Sequence, residues 1–194
     1  MAFYDFAKGV VKVIFKPLYR VEVIGLEHFP KEGGVLLCSN HISNLDPPTV
    51  GMSAPRPVHF MAKAELFQKG ATKKLMNAIN AFPDAFPVKR GMSDREALRN
   101  GLKLLKEDKV VGLFPEGTRS LTGELGKGLA GAGFFALRSN AHILPCAVIG
   151  PYKPFKKAKN CFWQTNRFYG NSQKQNPSRC RDRSNHVRNP KTFR

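Results

Sequence analysis

The chain is short of acid, short of cysteine and without any long apolar run, and each shortage closes a route. No segment of its 194 residues approaches 18 uninterrupted apolar positions, which excludes an ordinary membrane-spanning helix. The four cysteines, Cys38, Cys146, Cys161 and Cys180, form neither a CxxC pair nor a paired framework. That argues against a structural zinc site and a disulfide scaffold, and for reduced thiols in a cytosolic compartment. No internal repeat is visible, so a solenoid is excluded, and no cleavable signal pattern opens the chain. The length fits one domain with a sizeable core and a short appendage.

Acid is the scarcest class: 14 Asp and Glu stand against 32 Lys and Arg, a net charge of +18. The excess is uneven. Met1–Phe155 carries 21 basic and 13 acidic residues, whereas the last 39 residues carry 11 and one. A nucleic-acid or anionic-surface binder is therefore one reading of the charge, carried mainly by the tail. The body offers that reading no recognisable RNA or DNA module, and its aromatics fall mainly in apolar segments.

The first 20 residues place Lys8, Lys12, Lys16 and Arg20 four apart, with Phe3, Phe6, Val10, Val13, Ile14 and Leu18 filling much of the remaining surface. On a helix that is a basic amphipathic pattern, ending or kinking at Pro17. Such a helix suits an anionic membrane interface, although one packed on its own domain with solvated lysines has the same pattern.

From residue 21 to 155, β-rich runs alternate with helical periods. Val21–Ile24, Gly34–Cys38, "RPVHFMAK", "AFPVKRG", "KVVGLF" and "HILPCAVIG" read as strands or extended segments. "AELFQKGATKKLMNAIN", "SDREALRNGLKLLKED" and "GKGLAGAGFFALRSNA" read as helices, the second opened by a Ser93–Glu96 capping box. The expected fold is α/β, a largely parallel central sheet with flanking helices, preceded by the amphipathic helix. Sites in such sheets lie at the carboxyl ends of the strands, where His41, Lys63, Arg90 and Glu116–Arg119 all fall.

Two of these strand ends carry chemistry. In "HISNLD", His41 and Asp46 meet if the loop turns back at Asn44, with Asp46 at a helix N-cap and Pro47 at the first helical position. The carboxylate would then fix the imidazole tautomer and leave His41 free to take a proton from a hydroxyl. Alone, this spacing is more often a capped loop. In "FPEGTRS", Gly117 permits a tight turn, backbone donors lie beside the Arg119 guanidinium, and Glu116 supplies acceptors for hydroxyls, an arrangement suited to a phosphate. A structural turn with a surface ion pair has the same letters. No serine or cysteine is spaced as a protein nucleophile, so direct attack by a substrate alcohol on an activated acyl group is the simplest scheme.

"NHISNLD" and "FPEGTRS" together resemble the signature pair of the glycerolipid acyltransferase family, which includes the bacterial 1-acyl-glycerol-3-phosphate acyltransferases. "AFPVKRG" is similar to that family's Arg-containing second block and "ILPCAVIG" to its proline-containing fourth, all in the family's order. The resemblance implies His41 as general base on the free hydroxyl of lysophosphatidate and Asp46 as its orienting partner. It implies Lys63, Arg90 and Arg119 as phosphate ligands, Glu116 and Gly117 as walls of the glycerol-phosphate pocket, and Pro145 on the acyl-donor side. Another glycerol phosphate or lysophospholipid is the alternative acceptor. The donor would be an acyl thioester on acyl carrier protein or coenzyme A, with no metal and no other cofactor. The implied setting is the cytoplasmic face of the cell membrane, peripherally bound, with no nucleic-acid partner. "GELGKGLAGAGFF" is more glycine-rich than the lysine-glycine helix start usual in the family.

Residues 156–194 change character: they contain no Leu, no Ile and a single Val, and show no helix or strand period. Read one base on from Cys161, the residues permit "V-F-G-K-P-I", and the Trp163–Gln164 boundary encodes only Gly in that frame. We read Met1–Lys159 as the acyltransferase frame and the remainder as out-of-frame sequence, with a native basic extension as the alternative.

Overall fold

The computed structural model describes residues 20–63, 86–88, 95–150, 152 and 157–163. The amphipathic segment up to Tyr19, the 64–80 helical pattern, Ser93, Arg90 and the tail beyond 163 lie outside them, whereas Arg20, expected to close that segment, begins a strand. Among the described residues seven strands form one sheet: β1 (Arg20–Ile24), β2 (Val35–Ser39), β3 (Val58–Lys63), β4 (Phe86–Val88), β5 (Val110–Leu113), β6 (His142–Ile149) and β7 (Lys157–Phe162). Their order is β1-β7-β6-β2-β5-β3-β4. Every pairing is parallel except β6 with β7. The described helices are α1 (Asp46–Ser53), α2 (Arg95–Lys106) and α3 (Ala130–Arg138).

The sheet is buried on both faces, so its central strands need apolar residues at every position rather than at alternate ones. β2 shows this: Val35 and Leu37 join one core with Val50 and Ala54 of α1 and Phe60, Val110, Leu144, Val148 and Phe162. Leu36 joins the other, with Ala97 and Leu105 of α2, Val111, Leu113 and Phe135 of α3. The two faces follow directly from the two-residue period of a strand. α2 turns Ala97, Gly101 and Leu105 inward, four apart, as its period requires. At Gly34 the chain passes so close to α2 that an added Cβ would stand 2.1 Å from the Leu105 carbonyl oxygen, which leaves room for glycine alone.

Two expectations need correction. The glycine-rich segment after residue 126 becomes helical at Ala130, four residues later than its letters suggest, because Gly126 and Leu129 give their amides to Glu116 and Pro115 instead. The stretch beyond Lys156 does contain a strand. β7 lies between β1 and β6, with Ala158, Asn160, Cys161 and Phe162 buried. A strand held by backbone partners on both edges can form with little side-chain alternation, which is why it escaped a periodicity argument. Its side chains still contribute: Lys159 lies 3.8 Å from Glu22, its register partner on β1, and Phe162 meets Phe29 edge to face. The sheet thus runs past residue 155, and the Lys159–Asn160 junction falls within β7.

Candidate active site

β2 and β5 are neighbours and parallel, so the segments leaving them, residues 40–45 and 114–120, emerge side by side at one end of the sheet. The chain departs from β2 at Asn40. Its side-chain amide donates to the Val148 carbonyl at 3.0 Å and accepts from the Val148 amide at 2.7 Å, replacing the β2 backbone as the neighbour of β6. His41 is thereby released from the sheet.

The next five residues wrap around one carboxylate. Asp46 Oδ2 accepts from the Ile42 amide at 2.6 Å, the Ser43 amide at 2.7 Å and lies 2.7 Å from His41 Nδ1. The side chain is fully buried. An ionised carboxylate can only accept, so Nδ1 carries the proton and Nε2 keeps its lone pair. Asp46 is not the N-cap of α1: Leu45 takes that place and Asp46 is the first helical residue. The reason is readable in the letters. Pro47 and Pro48 have no amide for a forward cap, so the Asp46 carboxylate serves the loop behind it.

The ring of His41 stacks on Phe114, centroids 4.1 Å apart and planes 19° apart, and Phe114 stacks in turn beside Phe60. With Asp46 on one edge and Phe114 on one face, the imidazole has little freedom, and 15% of its side chain remains accessible.

The "FPEGTRS" segment is laced to the same residue. Glu116 Oε1 accepts from the His41 amide at 3.3 Å, and the Ser120 amide donates to the His41 carbonyl at 2.7 Å. Glu116 Oε2 accepts from the Gly126 amide at 2.7 Å, and Glu116 is buried. Both of its oxygens are thus engaged by backbone, which makes Glu116 the clasp between the two loops. Gly117 sits at φ 65°, a left-handed conformation, and an added Cβ would fall 2.4 Å from Leu129 Cδ1. Its amide is spent on the Phe114 carbonyl at 2.9 Å. Of the backbone donors expected to face an anion, those of Gly117 and Ser120 are therefore used internally, and the Arg119 side chain is exposed. The backbone of Lys63 closes β3 opposite Val88 on the same side of the sheet, while Arg90 lies outside the described residues. Pro145 lies within β6, paired with Cys38 of β2.

Sequence reasoning missed Tyr152. Its hydroxyl is 2.9 Å from Thr49 Oγ1, beneath the first turn of α1. Thr49 Oγ1 also lies 2.9 Å from the Leu45 carbonyl oxygen and 3.1 Å from that of Asp46. Burial pushes the phenol well above its ordinary range; the Thr49 hydrogen bond opposes this, and the Asp46 charge adds to it. Tyr152 is therefore neutral throughout the physiological range. Tyr152→Phe keeps the ring and removes the hydroxyl that meets Thr49. A denaturant titration should show a loss of about 1 kcal/mol; no loss would mean that the hydroxyl holds nothing. Burial likewise pushes the Cys38 thiol up to about 12, so the cysteine three positions before His41 carries no thiolate at neutral pH.

A base with a fixed tautomer, a partly accessible ring and a cation on the adjoining loop can deprotonate a hydroxyl on an anionic substrate. Comparison with known proteins bears on which one. The family model described as Acyltransferase matches residues 20–149. The 1-acyl-sn-glycerol-3-phosphate acyltransferase of Bacillus subtilis is 34% identical over 160 residues, covering 80% of this chain and 77% of that protein. The chloroplastic 1-acyl-sn-glycerol-3-phosphate acyltransferase LPAT1 of Arabidopsis thaliana is 30% identical over 150 residues, covering 76% of this chain but 41% of its own length. Among solved structures, the 1-acyl-sn-glycerophosphate (LPA) acyltransferase PlsC of Thermotoga maritima superposes with a TM-score of 0.65 at 22% identity, covering 88% of this chain and 71% of that one. It shares the fold.

Proposed function

Because this chain belongs to the Acyltransferase family, we propose that it moves a fatty acyl group from an acyl thioester to the free hydroxyl of lysophosphatidate, forming phosphatidate. The observation that carries this reading is the lacing of two loops at one residue: Asp46 orients the His41 imidazole, while Glu116 and Ser120 of the neighbouring turn bond His41's own amide and carbonyl.

The chemistry follows from the geometry. The acceptor hydroxyl approaches Nε2 and its oxygen attacks the thioester carbonyl carbon. Nε2 takes the proton as the new C–O bond forms, and Asp46 stabilises the imidazolium. Collapse of the tetrahedral intermediate breaks the C–S bond, and the proton passes to the departing thiolate. No acyl-enzyme is required, and the undissociated Cys38 thiol supplies no competing nucleophile. Arg119 faces the acceptor phosphate, joined in this reading by Lys63 and Arg90. Glu116 and Gly117 shape the turn that presents it.

The donor is a thioester on acyl carrier protein or coenzyme A, and the site works at the cytoplasmic face of the membrane, reached by a peripheral protein whose basic amphipathic segment 1–20 faces anionic headgroups. The residues after Lys159 are read as out-of-frame sequence and their basic charge not as a nucleic-acid device, and the coding DNA tests this directly: an open frame continuing into an amphipathic helix supports it, and its absence overturns it.

Incubation with lysophosphatidate and mixed acyl donors tests the activity, with monoacylglycerol as the phosphate-free acceptor. Arg119→Ala should raise KM for lysophosphatidate about ten- to hundredfold through loss of charge-assisted hydrogen bonds. It should leave transfer to monoacylglycerol unchanged. Transfer to neither acceptor by the folded protein would overturn the reading, and an Arg119→Ala effect equal on both acceptors would remove Arg119 from the phosphate site.

A further inference from the structure

Six large aliphatic side chains are exposed among the described residues, and four of them, Leu121, Leu125, Leu129 and Leu137, fall within one stretch that begins two residues after Arg119. Leu121 is 96% accessible and Leu137 79%, values that a residue retained for core packing does not show. Every residue from 121 to 130 is exposed. The apolar character continues into α3. There Phe135 faces the core, and the solvent-facing positions Ala130, Gly133 and Leu137 share the opposite face. A protein whose partner is water places charge on such a face.

The charges that are present have a sign. Lys127 and Arg138 are exposed in this stretch and Arg119 just before it, and Glu124 is its one acid. Leucines spaced among cations are the composition of a surface that meets acyl chains and anionic headgroups together. The loop is also anchored. Glu116 holds the Gly126 amide, Leu129 donates to the Pro115 carbonyl, and Ser120 donates to His41, so the segment stands in fixed relation to the catalytic base. Leu129 Cδ1 lies over Gly117, at the turn that presents Arg119.

We propose that the 121–129 loop and the outer face of α3 form a lipid-facing surface that beds into an anionic bilayer beside His41. The inference deepens the lysolipid reading and rests on it for its purpose. An acceptor whose phosphate meets Arg119 would have its acyl chain leave along Leu121–Leu129, so the same residues would seat the enzyme and receive its substrate from the bilayer.

The surface is tested on the full chain with vesicles containing phosphatidylglycerol. In Leu121→Trp, the added fluorescence should shift to the blue on vesicle addition and be quenched by brominated acyl chains, relative to a parent that contains Trp163 alone. A Leu121→Ser, Leu125→Ser double variant should bind these vesicles at least about tenfold more weakly, each leucine contributing through its buried apolar area. Its melting temperature should stay close to the parent's, because both side chains are exposed. An introduced indole that stays unshifted and unquenched, or an unchanged vesicle affinity in the double variant, overturns the proposal and transfers membrane binding to another segment. Insertion of that indole by a protein without transferase activity would support the surface while overturning the proposed reaction.

Discussion

His41→Ala is expected to lower kcat for acyl transfer about a thousandfold while leaving the protein folded, within the range general-base groups contribute. Two structural facts make this a clean substitution. The hydrogen bonds that lace the two loops use the His41 main chain, its amide to Glu116 and its carbonyl from Ser120, and alanine keeps both. The lost side-chain contacts are the stack on Phe114 and the hydrogen bond to Asp46. A melting curve close to that of the parent, together with lost turnover and an acceptor KM within a few fold, would assign the imidazole to the chemical step. Residual activity within tenfold of the parent would mean that another group accepts the proton.

Asp46→Asn should produce the second-largest effect, on two observables at once. The carboxylate oxygen that meets His41 also gathers the Ile42 and Ser43 amides, and the side chain has no access to water. Asparagine is nearly isosteric but neutral. It loses the charge that strengthens all three hydrogen bonds, and its amide nitrogen cannot accept from Nδ1. Turnover should fall about a hundredfold or more as imidazolium stabilisation and tautomer control are lost. Unfolding free energy should fall by about 2 kcal/mol, the scale of hydrogen bonds to a charged group. Kinetics and a denaturant titration on the same preparation separate the two losses. In the background of His41→Ala, Asp46→Asn should cost much less turnover than alone, because two residues acting as a unit do not add. Additive losses in kcat would show that Asp46 acts independently of His41.

What could be read in the letters was local. His41 and Asp46 are separated by one loop, and Glu116–Arg119 by a single turn, so spacing and residue chemistry located them without coordinates. The parallel sheet was equally legible, since strands buried on both faces spell near-continuous apolar runs such as "VLLC" and "VVGL". What stayed hidden was the pairing of distant segments. Nothing near Thr49 announces Tyr152, and nothing near Asn40 announces Val148, because each contact is made by the topology rather than by a motif. Glu116 was assigned to substrate hydroxyls because a carboxylate after a strand invites that role; that its oxygens hold the His41 and Gly126 amides depends on loop geometry. The Asp46 cap was misread against information that was available, the two prolines that follow it. β7 was missed for a different reason. Charge and amide content suppressed its hydrophobic signal, while its stability comes from two backbone ladders and from buried Ala158, Cys161 and Phe162.

That last strand also governs how the molecule is made. Among the described residues β1 stands at the edge of the sheet with β7 as its one neighbour, and Arg20 pairs with Lys157. During synthesis the earliest strand described must therefore wait for nearly the whole domain to be translated before it finds its place. Meanwhile β2, β5 and β6 can assemble around His41 and Glu116. Closure of β1 onto β7 becomes the slow, long-range event of folding, and until the ribosome releases residues 157–162 the nascent sheet presents β6 as an open edge to any passing chain.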